Sequence, residues 1–337
     1  MSGGKVTINN KKILIIRFSS FGDIVFAMSI LPILKEEVGE TGQIDWLVRS
    51  DMKGVLSGQN IVQNIHSFER SEGLIGLVKL ALELRKEKYD VVYDAHANIR
   101  SFIVRRILLT FSRAELVIRS KERIKRFLLF KMKINKYNFP YKGMVSFFKP
   151  IQNLLQGNHI LKPMKWHGNN IDIDVKGRII LVPSAAWEMK RWPARYWTEL
   201  IKLLPEYEFI ILGGPDDHFC EDIQRSASVR VTNLAGKLSL AQSCNIISHA
   251  DYVITGDTGL AQVADLTGRS GLTLIGPTAF GHPTMGSMHV LEKELSCRPC
   301  TKDGSGRCIQ NVYQKCLVDI SPQEVALKVR ESFNPVL

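Results

Sequence analysis

The chain has 337 residues, 45% hydrophobic and 23% charged. That length is about twice the usual single-domain size, so two domains with separate cores are expected, and the composition excludes disorder, collagen and a small disulfide scaffold. The formal net charge of +12 is uneven: residues 1–165 hold 28 basic and 14 acidic side chains against 17 and 19 in 166–337, so the first half suits an anionic partner such as nucleic acid, a membrane surface or an acidic acceptor.

Taken in chain order, residues 13–18 (ILIIRF) read as a strand running into SSFGD, and an apolar-periodic helix spans about 24–38. Strands follow at 44–48 and 90–94, with a helix near 74–88 between them. In the second half the strands are 179–182, 208–212, 251–255 and 272–275, and the helices lie near 194–204, 216–226, 239–249 and 258–267. This alternation predicts parallel sheets covered by helices on both faces. Residues 157–178 interrupt it and read as a linker. Ligands are then expected at the carboxyl ends of the strands. The stretch 271–291 lacks Lys, Arg, Asp and Glu, but its Gly276, Pro277, Gly281 and Pro283 make it no membrane helix. The opening MSGGKVTINNKK lacks the apolar core of a signal peptide, so a soluble cytoplasmic protein is expected.

Three segments carry chemistry. In FSSFGDIV (18–25), Gly22 allows a tight turn, and Asp23 serves either as a helix N-cap or as a general base at a strand end. In VPSAAWEMKRWPARYW (182–197), Lys190 and Arg191 precede a helix opened by Pro193. They form either a solvated basic pair, with Trp192 as a core anchor, or a phosphate site beside backbone N–H groups. In 254–278, Asp257 and Thr258 sit between Gly256 and Gly259, as a capped turn or as a seat for a diphosphate at a helix N-terminus. The GGPDD run at 213–217 offers Asp216 or Asp217 to ribose hydroxyls. Neither G-x-G-x-x-G nor G-x-x-x-x-G-K-[ST] occurs, which argues against dinucleotide redox and P-loop chemistry.

Together and in this order, ILIIRFSSFGDIV, YDVVYDAHANIRS, KRWP, LAGKLSL (234–240) and GDTGLAQVADLTG with LIGPT resemble glycosyltransferase family 9, the ADP-heptose:lipopolysaccharide heptosyltransferases, over about residues 11–330. The resemblance implies a GT-B fold, two Rossmann-like doubly wound parallel-sheet domains with a cleft between them. Residues 1–165 would bind the acceptor and 166–337 the nucleotide-sugar, with a last helix at about 321–333 returning to the first domain. Asp23 matches the family's catalytic base, Lys190 the lysine on the donor diphosphate, and Asp257, Thr258 and Gly259 the Asp-Thr-Gly turn of the donor site. Ser184, Asp216 and Gln262 are assigned to the donor as well, and Ser20, Gly22, Asn98 and Arg100 to the acceptor. Gln262 stands where the family usually has His; it hydrogen-bonds but carries no positive charge. The implied reaction is inverting transfer of a heptose from an ADP-sugar to a lipopolysaccharide inner-core acceptor. No cofactor is required, and no Asp-x-Asp metal motif is evident in these segments. Two alternatives stay open: a membrane- or polyanion-binding protein that keeps the fold without catalysis, and a family member using a different nucleotide-sugar.

The segment 119–136 holds eight Lys and Arg against one Glu, with apolar residues between them. It is either a solvated helix face or, through Lys121, Arg123, Lys125 and Arg126, a peripheral contact with the anionic cytoplasmic leaflet of the inner membrane. No recognised nucleic-acid module surrounds it. A monomer is expected. Cys220 and Cys244 read as buried thiols. Cys297, Cys300, Cys308 and Cys316 form C-x2-C-x7-C-x7-C, open to a structural zinc, to reduced thiols or to disulfides.

Overall fold

The computed structural model describes residues 8–168, 173–227 and 229–334. Residues 169–172 of the predicted linker, and 1–7 of the opening segment, lie outside the described residues. The chain divides into two compact units. The first holds residues up to Arg123 together with Met144–His167, and the second holds Ile124–Gly143 with the chain from Gly168 onward.

The first unit is a five-stranded parallel sheet of β1 (Lys12–Ile16), β2 (Gln43–Arg49), β3 (Asn64–Phe68), β4 (Val91–Asp94) and β5 (Glu115–Ile118), in the order β3-β2-β1-β4-β5. The second is a six-stranded parallel sheet of β6 (Ile179–Val182), β7 (Phe209–Ile211), β8 (Val231–Asn233), β9 (Tyr252–Gly256), β10 (Ser270–Ile275) and β11 (Met288–Glu292), in the order β11-β10-β9-β6-β7-β8. Both are doubly wound. Strand order reverses between β1 and β4 in one sheet and between β6 and β9 in the other, where an open α/β sheet leaves a crevice for ligand. Their central strands are Ile-, Leu- and Val-rich because helices cover both faces, as a parallel sheet requires.

The helix predicted over 24–38 is two, Phe21–Met28 and Leu31–Val38. Pro32 has no N–H to continue a helix but fits the first turn of a new one. Among the described residues no helix is long and apolar enough to cross a membrane.

Two expectations are corrected. The segment Ile124–Gly143 belongs to the second unit, where Tyr137 and Tyr141 pack edge-on to Phe280 with ring centroids 5.6 and 4.9 Å away. Phe130 joins the same ring at 5.9 Å, and Lys142 bridges to His282 in parallel. The C-terminal helix Pro322–Ser332 stays in the second unit rather than returning to the first. Its Val325, Ala326 and Val329 are buried in the core with Trp192, Trp197 and Leu200. Trp192 Nε1 donates to Ile320 O at 2.9 Å just ahead of the helix. Beyond it, Phe333 stacks on Tyr252 and Tyr207 at 4.9 and 5.6 Å, and Tyr207 Oη donates to Phe333 O.

Phe333→Ala therefore removes a stacked core ring and is expected to destabilise the protein by about 3–5 kcal/mol. Urea denaturation followed by tryptophan fluorescence measures it, and a loss below about 1 kcal/mol, typical of a surface site, would contradict this packing.

Candidate functional site

In the first unit, chemistry gathers at the carboxyl ends of β1 and β4. Asp23 is the third residue of the helix Phe21–Met28, not its cap, and its carboxylate benefits from the positive end of the helix dipole. Ser20 occupies the N-cap position, and its Oγ donates to Asp23 Oδ2 at 2.8 Å. The same oxygen lies 2.5 Å from Arg17 Nη2. Arg17, only 5% exposed, directly follows β1. Its Nη1 donates to Ala95 O at 2.8 Å, and its guanidinium lies over the Phe147 ring at 5.6 Å. Arg119 stacks on the same ring at 3.8 Å and donates to Ser146 Oγ. Asp94, fully buried at the end of β4, accepts from Ala97 N at 2.7 Å and His96 N at 3.1 Å, with Arg105 Nη1 3.5 Å away.

This cluster carries more positive than negative charge. Burial, then Arg17 and Lys121, push the His96 imidazole down to about 3, so the ring stays neutral at physiological pH. Burial, then Arg17 and Arg123, hold the Lys121 ammonium below the usual lysine value, although Asp23 and Asp94 oppose them. Lys121 thus belongs electrostatically to the Asp23 cluster rather than to a membrane-facing row. Arg100 is exposed and contributes to the field on His96. Asn98 is a helix cap: its Oδ1 accepts from Ser101 N at 3.0 Å, while Asn98 N donates to Ser101 Oγ. Gly22 lies within the first helical turn and takes no left-handed backbone, so the tight turn assigned to it is absent.

In the second unit, the corresponding ends are those of β6 and β9. Lys190 closes the short 3-10 turn Glu188–Lys190, and its Nζ lies 3.0 Å from Asp257 Oδ2. Thr278 Oγ1 donates to the same oxygen at 2.5 Å. Thr258 caps the helix Gly259–Leu266, accepting from Ala261 N at 3.2 Å and meeting Thr255 Oγ1 at 3.1 Å. Gly281 is needed for close approach, since a Cβ there would lie 2.1 Å from Asp257 Oδ1. Gln262 is 3% exposed; its Nε2 donates to Gly281 O at 3.2 Å, and its Oε1 is buried without a partner. Its amide N–H thus ties the loop that carries Gly281 against Asp257. Asp265 on the same helix holds that loop further along, accepting from Thr284 N at 2.6 Å and Met285 N at 2.9 Å, with burial pushing its carboxyl up to about 6.

The remaining expected residues divide. Asp216 is exposed, whereas Asp217 organises the glycine turn, accepting from Gly214 N at 2.7 Å with Arg191 Nη2 3.4 Å away. Ser184 is half-buried two residues past β6. On the helix Arg123–Lys131, the exposed Lys125 and the half-buried Arg126 lie over the rings of Tyr137 and Phe280 at 5.6 and 5.2 Å. The six cysteines are free thiols. Among the described residues no group of three or more His, Cys, Asp and Glu is set to hold a metal ion. The zinc left open for Cys297, Cys300, Cys308 and Cys316 therefore has no such group among them; Cys316 packs into the core with Leu317, and the other three are half-buried.

The family model for glycosyltransferase family 9 (heptosyltransferase) matches residues 77–307. The chain belongs to glycosyltransferase family 9. A lipooligosaccharide heptosyltransferase 2 of Campylobacter jejuni is 24% identical over 271 residues, 76% of this chain and 80% of that one. Among solved structures, a family 9 glycosyltransferase from Veillonella parvula superposes with a TM-score of 0.75 at 16% identity, covering 97% and 98% of the two chains. The Escherichia coli heptosyltransferase WaaC, solved with ADP and with ADP-2-deoxy-2-fluoro heptose, gives 0.71 and 0.67 at 19% identity, covering 95% and 99%. This family 9 glycosyltransferase is thus an enzyme of the GT-B fold.

Sequence reasoning missed Arg17, His96, Thr278 and Gly281. The one available signal was an arginine closing an otherwise apolar strand run, where a buried charge needs a dedicated partner. Because Gly281 packs directly on Asp257, Gly281→Ala is expected to destabilise this family 9 protein by about 1–3 kcal/mol through overpacking. Thermal or urea denaturation measures it, and wild-type stability would show that the loop yields freely.

Proposed function

We propose that this enzyme transfers a heptosyl group from an ADP-sugar to a hydroxyl of an anionic lipopolysaccharide core acceptor, with inversion at the anomeric carbon. The observation that carries this reading is Lys190 held 3.0 Å from Asp257, directly before the Thr258-capped N-terminus of Gly259–Leu266. A lysine and a helix N-terminus side by side suit a diphosphate, since both oppose its charge. WaaC, solved with ADP, shares the fold, which supports an adenine nucleotide.

In the first unit, Asp23 takes the proton of the acceptor hydroxyl as that oxygen attacks the anomeric carbon and ADP departs from the opposite face. Arg17 and Ser20 hold the carboxylate in one orientation, which a general base requires. Lys121, Arg100 and Arg123 give the surroundings a positive potential that favours a phosphorylated or carboxylated acceptor. In the second unit, Lys190 and the helix terminus stabilise the charge that grows on the leaving diphosphate. Ser184, two residues past β6, and Asp216, exposed in the loop after β7, are the groups offered to the nucleoside.

The exposed side chains of the helix Arg123–Lys131 support a peripheral contact with an anionic leaflet. Ile124 and Phe127 are 78% and 58% exposed among cationic neighbours, the pattern of an interfacial helix. This contact runs through the exposed Arg123, Ile124, Lys125, Phe127 and Lys131 rather than through the half-buried Lys121 and Arg126.

Asp23→Asn keeps the shape and loses the base, so kcat is expected to fall by about 10²–10⁴-fold with ADP affinity unchanged by calorimetry. Lys190→Ala loses a charge-assisted bond, and ADP affinity is expected to fall about 10- to 100-fold. Product mass from ADP-heptose and truncated lipopolysaccharide acceptors identifies the transferred sugar; full turnover in Asp23→Asn would remove the base assignment. For the membrane contact, Ile124→Glu with Phe127→Glu is expected to abolish co-sedimentation with phosphatidylglycerol-containing vesicles while ADP binding persists. Retained sedimentation would make the helix a solvated face.

A further inference from the structure

The motif left without a role is the cysteine-bearing loop, residues 297–308. Its backbone is tied to the end of β10: Cys300 N and Thr301 N donate to Pro277 O at 3.0 and 3.3 Å. Arg298 reinforces the same junction, with Nε donating to Gly276 O at 2.6 Å and Nη2 to Ile275 O at 3.3 Å. Thr301, itself buried, closes the loop tip by accepting from Gly304 N at 3.2 Å and donating to Ser305 O at 2.7 Å. That tip rests on the stem of Lys190. A Cβ on Gly304 would lie 2.6 Å from Lys190 Cγ, 2.7 Å from its Cδ and 3.0 Å from Trp187 Cβ. Further along, Gln314 Nε2 donates to Glu188 O, fixing the backbone of the turn that carries Lys190. The loop thus reaches both members of the ion pair. It touches Lys190 through Gly304, and it reaches Asp257 through Pro277 and the adjacent Thr278.

We propose that the cysteine-bearing loop is a positioning element for Lys190, with Gly304 the point through which it aims the ammonium at the donor diphosphate. This rests on the reading of Lys190 as a diphosphate ligand. A lysine stem carries four rotatable bonds, and ordering them on binding opposes affinity. A wall that already excludes the competing rotamers removes part of that cost before the nucleotide arrives. Glycine is required at 304 because any side chain would occupy the volume of the stem, and its φ of +97° suits glycine as well. Of the four cysteines, Cys316 is anchored in the core, and Cys300 is tied through its N–H to Pro277 O at the β10 end.

The test is ADP binding by calorimetry on five variants, Lys190→Ala among them, with folding checked by circular dichroism. Gly304→Ala is expected to weaken ADP about tenfold, equivalent to about 1.4 kcal/mol. Gly306→Ala is the control: its φ of +108° imposes the same backbone strain, but nothing lies within 4 Å of its Cβ, so its ADP affinity is expected to stay at the wild-type value. Thr301→Val loosens the loop tip without adding atoms and is expected to weaken ADP several-fold. The double variant Gly304→Ala/Lys190→Ala is expected to bind no more weakly than Lys190→Ala alone, because a residue acting through Lys190 has nothing left to position. Additive losses, or equal losses in Gly304→Ala and Gly306→Ala, would overturn the proposal. So would wild-type affinity in both Gly304→Ala and Thr301→Val while Lys190→Ala weakens ADP, which leaves the donor-site reading intact. Unchanged affinity in Lys190→Ala removes the donor-site reading and this proposal with it.

Discussion

A parallel strand covered by helices on both faces holds a charge along its length only where dedicated partners surround it, as Tyr89, Gln43 and Asn64 surround the buried Asp45 of β2. A charge that is to meet a ligand sits instead beyond the strand ends, and there too it is partnered against the desolvation of an isolated ion. Both sheets of this protein obey that constraint in the same way. At the β1/β4 reversal the carboxylate of Asp23 meets Arg17, and at the β6/β9 reversal the carboxylate of Asp257 meets Lys190. Each pair lies where strand order turns and the covering helices part, which is why the candidate residues sit at those ends and nowhere along the strands.

The two pairs differ in how tightly they are framed. Arg17 is locked by Ala95 O and the Phe147 ring, and Ser20 holds Asp23 from its other side. Its geometry is set by the first unit's own core, with neutral His96 and cationic Lys121 close by. Lys190 is framed by loops: the 3-10 turn beneath it, the Gly276–Gly281 segment that carries Thr278, and the cysteine-bearing tip at Gly304. The proposed base, Asp23, is built on a strand end and a helix, which fix one orientation. The proposed diphosphate ligand, Lys190, is built on a side chain whose freedom the loops restrict.

The basic segment after β5 shows how composition misleads when it is read without packing. Its eight cations suggested one continuous surface. In the fold, Lys121 is half-buried within the field of Arg17, Asp23 and Asp94, Arg119 is buried on Phe147, and Lys125 and Arg126 lie over aromatic rings. Only part of the charge is left to meet an external partner.

What the amino-acid sequence determined by itself was the architecture and the residues at its centre. The seven interior strands, β1, β2, β4, β6, β7, β9 and β10, are predominantly apolar because both faces are buried, and every one is legible. The four strands it did not reveal, β3, β5, β8 and β11, are the sheet edges, where exposure interleaves polar residues and erases the pattern. Asp23 and Asp257 stood out because a charged residue beside glycine after a strand is visible locally, and Lys190 because it forms a basic pair with Arg191 just ahead of the helix opened by Pro193. The tertiary structure alone decided what surrounds them. Arg17 looks like part of a strand until Ala95 and Phe147 arrive from later in the chain. The C-terminal helix could be assigned to either half until Phe333 stacked between Tyr207 and Tyr252. Contacts between residues distant in sequence leave no periodic trace, so partners, burial and the division of the chain are fixed only when the chain has folded.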